Sequence, residues 1–188
     1  MGYKYKKRNN EYINELNRWL SRNDYRIMLT IKFYTTNGRL NNLKNTNKLI
    51  SNINKKSFGR KYLEKKQHIN GFAAIEKSLG KGFSDFHIHM LINDLGKNNR
   101  FNVFEFMDIV QKSSVNLLNN KGENVFPYTT PKVEYENTDG VSGLNAGCFH
   151  IIEKYSDDAV NYILKEVRDE SSYADVKLLG QQGLSDYH

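Results

Sequence analysis

His87 and His89 stand two residues apart in the run Ser84-Asp85-Phe86-His87-Ile88-His89-Met90-Leu91-Ile92-Asn93. In an extended chain successive side chains point to opposite faces. Both imidazoles therefore share one face, and Phe86, Ile88, Met90 and Ile92 share the other. Two adjacent imidazole nitrogens on a sheet can hold a metal ion with coordination positions left open; the plainer reading is two polar residues on a solvated face. Upstream, residues 69–77 alternate as a strand, and the glycine-bearing loop 78–83 between the two runs is a hairpin signal. A symmetric loop sets Glu76 directly across from His87, and any register shifted by two keeps Glu76 on the histidine face. Two nitrogens and one carboxylate suit Mg²⁺, Mn²⁺ or a similar ion, with room for water and substrate. Ala73 and Ala74 are small and leave space above the sheet.

A second pair with chemical meaning is Tyr162 and Lys165. Ser156-Asp157-Asp158 makes a good helix start, with a Ser N-cap and acidic residues in the first turn. The helix is expected to run to about Arg168. Val160, Ile163, Leu164 and Val167 form its apolar stripe. Asp158, Tyr162, Lys165 and Asp169 fall on the opposite side, so Tyr162 has a lysine within side-chain reach. Only about one phenol in a thousand is ionised at neutral pH, so a tyrosine alone is a poor nucleophile. Beside a metal-bound phosphate, and with an ammonium to stabilise charge, it becomes a plausible one. The product would be a phosphotyrosine that conserves the phosphodiester energy. Tyr155 lies just before the helix cap, off the Tyr162–Lys165 face, and is the weaker alternative.

These groups need a sheet and helices to hold them. Residues 8–22 read as a first helix, with Tyr12, Ile13, Leu16, Trp19 and Leu20 at helical spacing. Residues 26–35 read as a strand with Ile27, Leu29, Ile31 and Phe33 on one face and Arg26, Met28, Thr30, Lys32 and Tyr34 on the other. Lys32 and Tyr34 suit single-stranded nucleic acid, in which charge tracks phosphates and rings stack on bases. Lys77 and Lys81, at the hairpin end, are added as DNA-binding candidates. Residues 41–66 look helical with a break near Ser57-Phe58-Gly59. Their basic run of Lys55, Lys56, Arg60, Lys61, Lys65 and Lys66 is either a solvated face or a phosphate contact. Residues 101–119 form an amphipathic helix, an extended stretch through Pro127 and Pro131 continues to Glu136, and residues 137–147 read as a loop. Residues 147–154 make a last strand carrying His150, with Cys148 and Ile152 on its face; His150 reads as structural or surface. Ser171–His188 gives no clear signal and packs as a strand or tail, or leads to a further domain.

Composition bounds the rest. The 188 residues point to a single domain, 1–188. Lys and Arg exceed Asp and Glu by 28 to 21, a net charge of +7 that favours a polyanionic partner. The single cysteine excludes an internal disulfide and fits a reducing compartment. No apolar run approaches a membrane span, so no membrane partner is expected, and the basic N-terminus lacks the apolar region of a secretory signal.

Phe-His-Ile-His-Met-Leu-Ile resembles the His-hydrophobic-His motif of the HUH endonucleases, and Tyr162-Ile-Leu-Lys165 resembles the Tyr-x-x-Lys motif of their single-tyrosine Rep class. Leu29 to Tyr34 sits where that family carries its first motif, and the order of elements matches from about residue 26 to 168. The resemblance implies an α+β, ferredoxin-like or RRM-like sandwich with a central antiparallel sheet flanked by helices. It also implies metal-dependent nicking of single-stranded DNA at a replication origin, with or without a hairpin. His87 and His89 would be metal ligands, Tyr162 the nucleophile and Lys165 its helper; Glu76 comes to the third-ligand position through strand pairing. The setting would be the cytoplasm of a host cell carrying a plasmid, phage or viral replicon replicated by rolling circle. The chain ends soon after the tyrosine helix, which suggests either a piece of a longer replication protein or a small initiator that borrows a host helicase. A non-enzymatic RRM-like nucleic-acid-binding module and an HUH transposase remain open. A two-histidine phosphoesterase would want a second His-x-Thr or His-x-Ser motif, and His68 and His150 do not supply one.

Overall fold

Branched apolar residues at every second position make Ile27–Lys32 (β1) a central strand, with Ile27, Leu29 and Ile31 fully buried. In the computed structural model β1 is followed by α1 (Gly38–Phe58), β2 (Asn70–Lys77), β3 (Phe86–Asp94) and α2 (Val103–Ser114). The remaining elements are β4 (Lys132–Asn137), β5 (Gly140–Ala146), β6 (Phe149–Glu153), β7 (Val176–Gly180) and β8 (Gly183–Asp186). The structure describes residues 11, 14–23, 25–33, 38–77, 86–94, 102–137, 140–153, 160, 163–164 and 176–186. Among these, residues 11, 14–20, 160 and 163–164 are also helical.

Among the described residues eight strands join one antiparallel sheet in the order β4-β5-β6-β1-β3-β2-β7-β8. The fold is α+β, a sheet flanked by helices. Its middle, β6-β1-β3-β2, has a helix in the β1–β2 connection and another between β3 and the strands leading to β6. That is the split βαβ arrangement. Both helices cover the face formed by Ile27, Leu29, Ile31, Ile88, Met90 and Ile92. Leu49, Ile50 and Ile53 of α1 and Phe106, Met107 and Val110 of α2 complete this core, each contributing about 1.5–3 kcal/mol by full burial.

The opposite face carries a second, smaller cluster. Phe72, Ala74 and Leu91 of the sheet pack there with Leu16 and Leu20, and with Val160, Ile163 and Leu164. Three of the four residues in the apolar stripe read for the helix after Ser156 are thus buried against the histidine face of the sheet.

Several boundaries differ from expectation. α1 ends at Phe58, where Gly59 takes φ +86 and turns the chain out of the helix, and residues 60–66 form turns. α2 starts at a capping box between Asn102 and Glu105 and stops at Ser114. The expected loop 137–147 is largely β5, paired to strands on both sides. Cys148 precedes β6 and packs in the first core rather than beside His150, and burial pushes its thiol up to about 12. The C-terminal residues form the β7–β8 hairpin, with β7 paired to β2. Among the described residues no helix is long and apolar enough to cross a membrane.

Candidate metal centre

The β2–β3 register sets Glu76 across from His87 and Ala74 across from His89. One irregularity, between Asn70 and Gly71, precedes the unbroken ladder from Phe72 to Lys77. Gly71 has φ +148, and a Cβ there would stand 1.9 Å from the Leu91 carbonyl oxygen. This bulge starts the ladder in the phase that brings Glu76 to the histidines.

Both imidazoles converge on one carboxylate oxygen. His89 Nε2 lies 2.9 Å and His87 Nε2 3.0 Å from Glu76 Oε2. The two rings meet edge to face with centroids 4.7 Å apart. Exposure grades along the strand, from His89 at 5% of its side chain to His87 at 25%, so the cluster is closed at one end and open at the other. From β1, Thr30 pairs in register with His89, and its Oγ1 lies 2.9 Å from His89 Nδ1.

The three donors lie within 4.8 Å of one another, a spacing that fits a metal ion. Ligands at ~2.1 Å in octahedral geometry stand ~3.0 Å apart along an edge, close to the two observed Nε2–Oε2 separations. Without a metal, both Nε2–H groups can donate to Glu76. With one bound, those nitrogens give up their protons to become ligands. His89 would then carry its proton on Nδ1 and donate it to Thr30 Oγ1, the outer contact that fixes a ligating imidazole.

Lys32 is exposed and pairs in register with His87, which puts a cation beside the open end of the cluster. Lys77 ends the β2 ladder opposite Phe86. Tyr34, Lys81, Tyr155, Tyr162 and Lys165 lie outside the described residues. Of the two alanines, only Ala74 is on the histidine face, where it joins the second cluster; Ala73 is in the first.

Thr30 was on the right face of its strand in the sequence, but nothing there singled it out as the partner of His89. His150 also has partners the sequence hid. Its Nε2 stands 2.8 Å from Glu134 Oε2, near enough for ion pairing though off the axis of a hydrogen bond. Burial lowers its pKa below the usual histidine value; Glu134 opposes this and Lys32 adds to it. Two clefts lie on the helical side instead: one of about 820 Å³ bounded by Leu40, Leu43, Tyr62 and Leu63, and a basic one of about 390 Å³ bounded by Lys55, Lys56, Arg60 and Lys112. Neither gathers metal ligands of the kind found at Glu76. No family model, curated protein or solved structure matches the chain.

Proposed function

We propose that the protein is a metal-dependent, sequence-specific single-stranded DNA endonuclease and strand transferase of the HUH kind, which starts rolling-circle replication at an origin. The observation that carries this reading is the convergence of His87 and His89 on one oxygen of Glu76. Its support is that Val160, Ile163 and Leu164 are buried on the same face of the sheet, in one cluster with Ala74.

In this reading Glu76, His87 and His89 hold Mg²⁺ or Mn²⁺, which when bound polarises a DNA phosphate and stabilises charge on its oxygens. The Tyr162 phenolic oxygen attacks phosphorus. The bond from phosphorus to the 3′-oxygen breaks, and the phenol proton ends on that oxygen. A 5′-phosphotyrosine and a free 3′-OH result. Lys165 stabilises the developing charge. Lys32 is exposed beside His87 and suits a phosphate neighbouring the scissile one. The natural substrate is an origin, as a bare strand or beside a hairpin, in the cytoplasm of a cell carrying the replicon.

The test is a randomised single-stranded DNA pool incubated with Mn²⁺ and run on a denaturing gel. A detergent-resistant adduct that is lost in EDTA and in Tyr162→Phe, with DNA binding kept, is expected. Lys165→Ala should lower adduct yield with little change in metal binding. An adduct that persists in Tyr162→Phe removes that residue as nucleophile. EDTA-insensitive DNA binding with no adduct, on the pool or on hairpin-bearing strands, makes the protein a binding module.

A further inference from the structure

The histidine face does not end at the metal centre. His89 pairs in register with Thr30, Thr30 with His150, and His150 with Asn145. These four residues form one row across β3, β1, β6 and β5, so their side chains share a face. At the far end of the row β4 is irregular. Val133 pairs with Leu144 and Tyr135 with Gly143, so Glu134 is an extra residue on β4. Such a bulge re-aims side chains, and here it turns two consecutive residues to the histidine face. Glu134 reaches Asn145 Nδ2 at 2.7 Å and His150 Nε2 at 2.8 Å. Tyr135 lies over Gly143, where a Cβ would stand 2.3 Å from Tyr135 Cδ2 and 3.0 Å from Cγ. Its ring centroid is 6.0 Å from that of His150, at 31°.

The tyrosine is thus laid against the sheet by a glycine and flanked by a histidine, yet 49% of it is exposed. A ring resting flat on glycine can be simple packing at a sheet edge. Three features point further. The free side of the ring faces the same way as the metal centre. The Glu134 carboxylate beside it is engaged by Asn145 and His150. The exposed cation Lys32 acts on His150 and pairs with His87, so it lies between the two ends. Two strand spacings of about 4.8 Å and the ring separation put Tyr135 on the order of 15 Å from His89. That is a few nucleotides along a strand.

We infer that Tyr135 is a stacking platform for one base of single-stranded DNA that runs across the sheet to the metal centre, with Lys32 holding the backbone between. This rests on the nuclease reading for the identity of the strand. The polymer is DNA, one base lies on the ring, and the phosphates run toward Lys32, away from the Glu134 carboxylate.

The test is fluorescence anisotropy in EDTA, using a labelled random single-stranded DNA pool about 20 nucleotides long, longer than the usual ~4–16-nucleotide footprint. Loss of one stacked base costs ~1–3 kcal/mol, which is about 5- to 140-fold in Kd. Tyr135→Ala and Tyr135→Leu should weaken binding by that factor, while Tyr135→Phe binds as the wild type. The same order should hold in adduct yield below saturation. Wild-type affinity in both Ala and Leu variants overturns the platform, as does the absence of single-stranded DNA binding by the wild type, or Tyr135-dependent binding confined to an RNA pool. The two readings fail separately. Adduct formation with a Tyr135-independent Kd removes the platform alone. Tyr135-dependent DNA binding without any adduct removes the nuclease alone and leaves the platform standing.

Discussion

Replacing Thr30 by Val keeps the shape of a side chain that is 4% exposed and removes the hydroxyl that stands 2.9 Å from His89 Nδ1. Two effects follow from one lost contact. In the metal-free protein a buried ring nitrogen loses that partner, which costs about 1–3 kcal/mol. For a chain of this length each kcal/mol corresponds to ~2–4 °C, so the melting temperature should fall by several degrees. With metal, His89 loses the contact that fixes its tautomer and orientation. Removing such an outer partner typically lowers metal affinity ~10–100-fold, or ~1.4–2.8 kcal/mol. Calorimetric titration with Mn²⁺ reads the affinity directly. Thermal unfolding with and without saturating Mn²⁺ reads the same quantity as a smaller metal-induced stabilisation. Thr30→Ser keeps the hydroxyl and should retain most of the affinity. If Thr30→Val lowers the melting temperature but binds Mn²⁺ as tightly as the wild type, the contact is structural only and does not orient His89 toward a metal.

Gly71→Ala should be strongly destabilising, because φ +148 is unfavourable for alanine and the new Cβ meets the Leu91 carbonyl oxygen at 1.9 Å. A loss of roughly 3 kcal/mol or more is expected in chemical denaturation, and unchanged stability would mean the bulge is not needed for the β2–β3 register. Stability should also carry a pH dependence from His150. Its folded pKa lies below the ordinary value because burial outweighs Glu134, so the unfolded chain binds its proton more readily. Stability therefore falls as pH drops through about 6.5 and levels off below the lowered folded value. His150→Asn should flatten the difference in melting temperature between about pH 8 and about pH 5.5; an unchanged slope would assign that dependence to other groups.

How far the site was legible depended on how local its interactions are. Glu76 could be set against His87 from the sequence because a hairpin pairs residues close in the chain and alternation fixes the face even when register slips by two. Thr30 could not, because β1 meets β3 across about sixty residues, and only the assembled sheet says which residue of a strand stands beside His89. β5 was hidden for another reason. Gly-Val-Ser-Gly-Leu-Asn-Ala has weak strand propensity, and its extended form is imposed by β4 and β6. The glycine that makes the segment look like a loop, Gly143, is there because the Tyr135 ring occupies the place of its side chain. The contact of His150 with Glu134 was hidden as well, since Glu134 reaches it from a strand the sequence showed only as an extended run. The helix after Ser156 was readable from its stripe, and Val160, Ile163 and Leu164 are buried as that periodicity requires.

The metal centre is tested most directly by Mn²⁺ binding followed by electron paramagnetic resonance on the wild type and on Glu76→Ala, His87→Ala and His89→Ala. One tightly bound ion per chain is expected, with coupling to imidazole nitrogen in the wild type. Affinity should fall in all three variants, and nitrogen coupling should weaken in the two histidine variants. A wild-type protein that binds no Mn²⁺ or Mg²⁺, or one whose bound ion is indifferent to all three substitutions, would mean that Glu76, His87 and His89 form a hydrogen-bonded cluster and not a metal centre.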